Sequence, residues 1–243
     1  MKVHVVGSSC TWYSRLNTSF ILDDNTLFDV PEGSYKTIIK TIDIFKLNTI
    51  FITHFHSDHF FGMHVLATRF MREGKKRGMK EKLKVFGPKG TLDKLVEINK
   101  ALFSGPDECD KASLQEMIDF IEVGDGDEFD NNGYHVKVFA LDHGAVYSQG
   151  YSFEDKNGQT IVFSGDTREC DRLHDLLNGA DVAFLEMAAM KESPSHIDVN
   201  SFVKITKQYP KCNFFPIHTP DETLEFAEKN GLNVVNDGDD YIF

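Results

Sequence analysis

The sequence lacks the features that mark membrane, secreted and cysteine-rich proteins. No stretch approaches the roughly 20 apolar residues of a membrane span, so we expect no membrane segment. Residues 1–7 alternate in polarity like a strand and have no signal-peptide pattern, which favours a cytoplasmic protein. The cysteines include no C-x-x-C pair, which argues against a disulfide framework or a cysteine zinc site and indicates small buried side chains at Cys10, Cys109, Cys170 and Cys212.

The chain also lacks an excess of positive charge. Its 26 Lys and Arg against 38 Asp and Glu give a net charge of −12, which opposes nonspecific binding to polyanions. The exception is a basic island between Arg69 and Lys84, which contains eight basic and two acidic residues. Two interpretations are open for this island, a solvated helix and loop or a patch that steers phosphates toward a site.

The length and the patterning predict an α/β domain. With 243 residues, 41% of them hydrophobic, the chain can bury a full core as one domain over 1–243 or as two tightly fused repeats. Runs of β-branched and aromatic residues predict strands at 2–7, 18–22, 26–30, 49–53, 83–86, 134–141, 149–154, 159–164, 182–186, 213–217 and 239–243. Helical patterns occur at 34–46, 60–78, 90–103, 111–119, 168–178, 198–208 and 221–230.

Three imidazoles and a carboxylate fall within residues 54–59, directly after an apolar run. Imidazole nitrogen and carboxylate oxygen are ligands that zinc takes in proteins, and a polar loop that happens to be rich in histidine is the alternative. His54 and His56 are two apart at a strand end, so they can project to the same side. Asp58 and His59 follow where the chain turns into a helix, and could face a second ion.

Further candidate ligands lie at or just past the ends of apolar strands downstream, at His143, Asp166 and His218. Each alone would be an ordinary hydrogen-bonded residue. Together with the motif they supply five imidazoles and two carboxylates, which is enough for two ions. One ion would bind His54, His56 and His143. The other would bind Asp58, His59 and His218, with Asp166 bridging both.

This ligand set predicts a hydrolytic metal centre. It leaves a position for a shared water, and zinc lowers the pKa of a bound water so that hydroxide is available near neutral pH. The two ions would also neutralise an anionic substrate oxygen. Two Zn²⁺ ions are our prediction, although Mn²⁺ and Fe accept the same ligands.

These residues resemble the metallo-β-lactamase-fold hydrolases, and most of all the ribonuclease Z (tRNA 3′-processing endonuclease) group. The H-x-H-x-D-H segment, here His54 to His59, is the superfamily signature. The resemblance runs nearly end to end, through Gly7-Ser8-Ser9, Asn17-Thr18-Ser19, Leu27-Phe28-Asp29, the Gly-Pro segment at 85–90, the His-to-Gly-Tyr stretch at 143–151 and Ser-Gly-Asp-Thr-Arg at 164–168. It implies the same seven metal ligands.

The resemblance also implies a fold and an assembly. The expected architecture is a four-layer αββα sandwich, an α/β (α+β) fold with two mixed β-sheets face to face and helices outside. It further suggests a homodimer. Asp29, at a strand end, is expected to support the metal histidines from behind, with a turn-forming aspartate as the alternative.

Catalysis requires a proton for the departing alkoxide, and His196 is the candidate donor. The ribonuclease Z group carries a His-Ser-Thr triplet before its last metal histidine and a Glu-Ala-Thr segment upstream. Here His196 is followed by Ile197-Asp198, and Glu186 is followed by Met187-Ala188, so both motifs depart from the pattern. Glu186 would orient His196, whereas a surface or capping role is the alternative for the histidine. With Asp58, these two residues form the predicted catalytic set.

One part of the ribonuclease Z group is missing. That group inserts a long tRNA-gripping arm between the third metal histidine and the bridging aspartate. Only 23 positions separate His143 from Asp166, and an Asn157-Gly158 hairpin signal occupies them. We therefore expect a phosphodiesterase whose substrate is a small phosphodiester or an RNA 3′ end. The alternatives are a tRNA 3′-processing endonuclease proper, a thioester, lactone or sulfate-ester hydrolase, and a metal-binding sensor without activity.

Overall fold

The computed structural model describes residues 1–102 and 110–243, which form two compact units. The first unit combines Met1–Gly7, Leu16–Glu122 and Gly238–Phe243. The second combines Ser8–Arg15 and Val123–Asp237. Each unit has its own β-sheet, and the strands are numbered along the chain. The assignment of residues 1–243 to a single domain stays a prediction.

The first unit is built on a mixed seven-stranded sheet in the order β13-β1-β2-β3-β4-β5-β6. Strands β13, β1, β2 and β3 pair antiparallel, whereas β3 to β6 are parallel. The carboxyl ends of β3, β4 and β5 therefore meet at one edge. The strands are β1 Lys2–Gly7, β2 Ser19–Leu22, β3 Thr26–Phe28, β4 Thr49–Phe51, β5 Leu83–Gly87, β6 Ile118–Glu122 and β13 Asp240–Ile242.

Helices of the first unit bury an apolar cluster against this sheet. Helix side chains such as Ile38, Phe70 and Leu95 are fully buried together with Ile50 and Val85 of the strands. This burial supplies the main driving force for holding the helices on the sheet. The helices are α1 Tyr35–Thr41, α2 Ser57–Phe60, α3 Met63–Lys76, α4 Thr91–Leu102 and α5 Lys111–Gln115.

The second unit has a mixed six-stranded sheet in the order β12-β11-β10-β9-β8-β7. Its helices, α6 Asp171–Leu177, α7 Val199–Gln208 and α8 Asp221–Lys229, contribute to a second apolar cluster that includes Leu173, Phe202 and Ala227. The strands are β7 Glu128–Asn131, β8 Tyr134–His143, β9 Val146–Glu154, β10 Thr160–Phe163, β11 Val182–Glu186 and β12 Asn213–Ile217.

Strand direction in this sheet determines where polar residues collect. Strand β9 is antiparallel to both β8 and β10, so β8 and β10 run in the same direction. Strands β10, β11 and β12 are parallel. The carboxyl ends of β8, β10, β11 and β12 consequently lie at the same edge, which we call the ligand edge of the second unit.

The predicted fold class is confirmed, because the chain is α/β with two mixed sheets. Three helix predictions were wrong in detail. The helix expected at 34–46 ends at Thr41, since Ile42 is extended and Asp43 caps a separate 3-10 turn. The helix expected at 60–78 is divided, because α2 ends at Phe60 and α3 begins at Met63. Gly62 lies between the two helices and packs closely against the backbone, because a Cβ at this position would lie 2.3 Å from the Pro31 carbonyl oxygen.

The helix expected at 111–119 ends at Gln115, and β6 follows it. Neither β6 nor β7 was predicted as a strand. The hairpin at Asn157-Gly158 is present between β9 and β10, with Gly158 at a φ of +81°. Residue 103, the last of a predicted helix, lies outside the described residues.

The buried character expected for the cysteines was wrong. Cys10, Cys170 and Cys212 are each partly exposed, and Cys109 lies outside the described residues. Within the described part of the chain, no helix combines the length and apolar character needed to cross a membrane.

Candidate metal-binding site

The first unit places the histidine motif just past the carboxyl end of β4. His54 is fully buried, and its ring centroid lies 4.7 Å from that of His56 and 4.2 Å from that of His59. The helical turn α2 begins at Ser57, earlier than predicted, so both Asp58 and His59 lie within it. The motif therefore gathers three imidazoles and a carboxylate at one strand end.

Asp29 supports this cluster from the neighbouring strand. It follows β3 with a φ of +51°, a backbone conformation that aspartate tolerates better than most residues. Its carboxylate accepts hydrogen bonds from the Thr53 amide at 2.8 Å, the Thr53 hydroxyl at 2.8 Å and Nδ1 of His59 at 2.7 Å. The Thr53 hydroxyl in turn lies 3.0 Å from Nδ1 of His54.

These contacts define the imidazole tautomers. Because a carboxylate can only accept, His59 carries a proton on Nδ1, and in the neutral ring the lone pair is then on Nε2. A carboxylate behind a histidine is the usual arrangement for orienting a metal ligand. Burial raises the pKa of Asp29, while the nearby His59 acts in the opposite direction.

The second unit collects its candidate ligands at the ligand edge. His143 ends β8, Asp166 follows β10, and His218 follows β12 with a φ of +55°. All three are buried. Asp166 Oδ2 lies 3.7 Å from Nε2 of His143 and 3.4 Å from Nε2 of His218. The spacing brings both imidazoles to a single carboxylate.

The tautomer of His143 is also defined. Its Nδ1 donates a 2.8 Å hydrogen bond to the carbonyl oxygen of Ser195, so in the neutral ring the lone pair is on Nε2, the nitrogen nearer to Asp166. His143 and His59 thus satisfy the same condition in their separate units. In both, the hydrogen bond on Nδ1 places the lone pair of the neutral ring on Nε2.

His196 and Glu186 are in direct contact. Nδ1 of His196 lies 3.1 Å from Glu186 Oε1, which also accepts the Thr167 amide at 2.6 Å. Glu186 Oε2 accepts the Ala188 amide at 3.2 Å. Burial raises the pKa of Glu186 to about 7, against the lowering effect of His196.

His196 lies beside His143 and His218 but is more exposed than either. Its ring centroid is 4.9 Å from that of His143 and 5.8 Å from that of His218, and its side chain is 27% exposed. One ligand atom from each of Asp166, His196 and His218 falls within 4.8 Å of the others. His196 also lines an open cleft with Arg168.

Several supporting groups were not predicted from the sequence. Thr53 could have been suspected, because it lies between the strand and the first histidine. The Ser195 carbonyl and the Thr167 amide leave no sequence signal, since any residue can supply a backbone group. The ligand clusters contain none of the four remaining histidines, each of which has another hydrogen-bond partner: His4, His64, His135 and His174.

The basic island is largely engaged within the first unit. Three of its lysines contact carboxylates, with nitrogen to oxygen distances of 2.5 to 3.0 Å, in the pairs Lys75–Glu116, Lys76–Glu73 and Lys82–Asp119. The Arg77 guanidinium lies 4.0 Å from the ring centroid of Phe45. These contacts favour the solvated helix and loop over the phosphate-steering patch.

The described residues between His143 and Asp166 form a compact hairpin. After the turn at Gly144, β9, the turn around Asn157 and Gly158, and β10 occupy nearly all of the segment. No inserted arm is present within residues 143–166. The corresponding sequence prediction is therefore confirmed for this segment.

Comparisons with known proteins agree with this architecture. Residues 25–219 match the family model described as the Beta-lactamase superfamily domain. A ribonuclease Z of Staphylococcus saprophyticus is 35% identical over 129 residues, which are 53% of this chain and 38% of that protein. The chain therefore matches well under half the length of this relative. The resemblance to ribonuclease Z noted from the motifs is confirmed.

Two solved structures share the fold. The metallo-beta-lactamase fold protein YhfI from Bacillus subtilis superposes with a TM-score of 0.78 at 16% identity, covering 99% of this chain and 98% of that one. The short form of human tRNase Z gives a TM-score of 0.75 at 20% identity, covering 100% and 99%. The metallo-β-lactamase fold expected from the sequence is confirmed.

Proposed function

The chain belongs to the beta-lactamase superfamily, and on this basis we propose that it is a dinuclear zinc-dependent hydrolase, a phosphodiesterase of the ribonuclease Z-like group. The observation that carries the proposal is the matched orientation of His59 and His143. Each has its Nδ1 held by a hydrogen-bond acceptor, the Asp29 carboxylate or the Ser195 carbonyl, so that each would offer Nε2 to an ion.

The residues fit a divalent metal. The first unit supplies imidazoles and a carboxylate at the end of β4, and the second supplies imidazoles and a carboxylate at its ligand edge. One ion would be held by His54, His56 and His143 and the other by Asp58, His59 and His218, and Asp166 would be available to both. Zinc suits these nitrogen and oxygen donors, and manganese and iron are the alternatives for the same ligands.

Divalent ions in such a site supply Lewis acidity and a nucleophile derived from water at neutral pH. The protein's own part is the proton for the leaving oxygen. Glu186 accepts from Nδ1 of His196 and favours the imidazolium, whose Nε2 proton is then available to the departing alkoxide. The open cleft beside His196 gives a leaving group access to this proton. Asp58 is proposed as both a ligand and a catalytic residue.

A small phosphodiester or nucleotide is the preferred substrate, with an RNA 3′ end as the close alternative. The name of the Staphylococcus relative supports the RNA alternative. The compact hairpin at 143–166 and the net charge of −12 favour the smaller substrate. A homodimer and a cytoplasmic location stay predictions from the sequence.

The direct test is turnover of bis(p-nitrophenyl) phosphate by protein loaded with zinc, manganese or iron, beside a thioester, a lactone and an aryl sulfate. We expect phosphodiester turnover, and metal analysis should find two ions per chain. His54→Ala should lose both metal and activity. His64→Ala is the matched control, because His64 bonds the Phe61 carbonyl and belongs to no ligand cluster.

Turnover of only the thioester, lactone or sulfate would reassign the enzyme to that class. Two bound ions with no turnover of any ester would instead favour a sensor. Cleavage of a precursor tRNA trailer tests the endonuclease alternative. Charge reversal at Lys75, Lys76 and Arg77 should then raise KM for the tRNA alone, and an equal effect on a small ester would contradict phosphate steering.

A further inference from the structure

Trp12 is the single tryptophan of the chain, and its side chain stands almost wholly in solvent. It is 94% exposed, and its backbone φ is +82°. A positive φ is an outlier for a bulky residue, and such strain persists only where the surrounding structure imposes it. An exposed ring gains nothing from burial that would offset this cost. Neither packing nor local conformation therefore explains a tryptophan here.

The loop that carries Trp12 is fixed next to a candidate metal ligand. Ser9 Oγ donates a 3.0 Å hydrogen bond to the Thr219 carbonyl, and Thr219 directly follows His218. From the other end of the loop, Arg15 donates to the Thr219 hydroxyl at 3.2 Å and also to the Thr219 carbonyl. Trp12 lies three residues from each anchor, so its Cα is within roughly 11 Å of both anchoring Cα atoms.

Other exposed apolar side chains of the second unit share this location. Tyr147, 47% exposed, lies near the start of β9, opposite Asp142 at the end of β8. Met190, 40% exposed, lies in the segment between β11 and α7 that also contains His196. Among the described residues of this unit, these two and Trp12 are the large hydrophobic side chains left exposed, and all three belong to segments at the ligand edge. Exposed apolar groups around a polar site are typical of ligand-binding surfaces.

We propose that Trp12 is a substrate-binding residue that stacks on a nucleobase of a nucleotide phosphodiester. The inference rests on the proposed function, because the phosphate would be held by the metal ligands near His218. A flat exposed indole on an anchored loop suits a planar ring, and stacking accepts any base. This assigns the preferred substrate to nucleotides within the class of phosphodiesters.

Tryptophan fluorescence, excited selectively over that of the tyrosines, tests the proposal without catalysis, because all the tryptophan emission comes from residue 12. AMP should quench the emission of the metal-loaded protein saturably. Ribose 5-phosphate, which carries the phosphate and the sugar but no base, should not. Equal quenching by both, or by neither, would overturn the proposal. An emission change that depends on protein concentration alone would assign Trp12 to a contact between copies of the chain and would also overturn it.

Kinetics provide the second readout. Trp12→Gly removes the ring and suits the positive φ, so a defect cannot be attributed to backbone strain. On thymidine 5′-(p-nitrophenyl phosphate), this variant should raise KM about 5- to 150-fold. On methyl p-nitrophenyl phosphate, which has the same leaving group without a base, KM should not change. Trp12→Phe should retain most of the affinity.

Ser14→Gly, an exposed position in the same loop, is the matched control and should resemble the wild type. A parallel loss on both esters in Trp12→Gly would contradict the stacking role. If the wild type hydrolyses neither ester, the proposed function fails, and AMP quenching still decides on Trp12 by itself.

Discussion

Asp29 and His59 form a buried pair in which the aspartate Oδ2 accepts a 2.7 Å hydrogen bond from the histidine Nδ1. The same carboxylate holds Thr53, whose hydroxyl contacts Nδ1 of His54. One side chain thereby orients two candidate ligands. Its contribution to metal binding can be measured separately from catalysis.

Asp29→Asn should weaken zinc binding about 10- to 100-fold, because the amide keeps the shape and tolerates the positive φ but loses the charge behind His59. Competition with a chromophoric chelator measures the affinity. Asp24→Asn is a matched control, since Asp24 also has a positive φ, of +60°, but is exposed and contacts Lys2. Equal affinities in the two variants would contradict the supporting role.

His196→Ala should lower kcat about 10²- to 10⁴-fold on substrates with poor leaving groups, the usual contribution of a positioned proton donor. The variant should retain both metal ions, as measured by elemental analysis. His174→Ala is the control, because His174 belongs to the same unit and also contacts a carboxylate, Glu169, at 3.3 Å. Loss of an ion from His196→Ala would make His196 a ligand rather than a donor.

Glu186→Gln should lower kcat about 10- to 100-fold by disturbing the orientation of His196. In a His196→Ala background the same change should have almost no further effect, because a residue that acts through His196 has nothing left to position. Steady-state kinetics on both single variants and the double variant measure this coupling. Additive losses would show that Glu186 acts independently of the histidine.

Cys212 should react slowly with alkylating reagents in the folded protein. Cys212 is partly exposed, and its partial burial raises the pKa of the thiol to about 12, so the reactive thiolate is scarce at pH 8. Peptide mapping by mass spectrometry after timed iodoacetamide treatment gives the rate at this one site. The denatured protein is the reference, in which Cys212 should label much faster. Equal rates in both states would contradict the expected protection.

The sequence predicted the strands around the candidate site well, because apolar runs such as 182–186 and 214–217 are buried at every position. It missed two edge strands, β6 and β7. Strand β6 contains Asp119 and Glu122, and β7 begins at Glu128, so neither has the apolar content of a central strand. The pairing of β6 also depends on β5, which is distant in the chain, and local patterns do not report such a partner.

Helix boundaries failed for a similar reason. The apolar spacing of Ile38 and Ile44 continues past the end of the helix, where Ile42 is extended. Both side chains are nevertheless buried in one cluster, so the apolar pattern does not show where the helix ends. In the candidate site, the side chains proposed as ligands were identifiable by their chemistry. The hydrogen bond from His143 to the Ser195 carbonyl was not identifiable, because this contact exists only in the folded chain.

The pairing of β1 with β13 places the first and last strands of the sequence side by side, with the Met1 amino group 3.0 Å from the Phe243 carbonyl oxygen. During translation, β1 therefore leaves the ribosome long before its outer neighbour exists. An unpaired strand edge can template association with other chains. Until residues 240–242 pair with it, β1 therefore presents an open edge at which another chain can add.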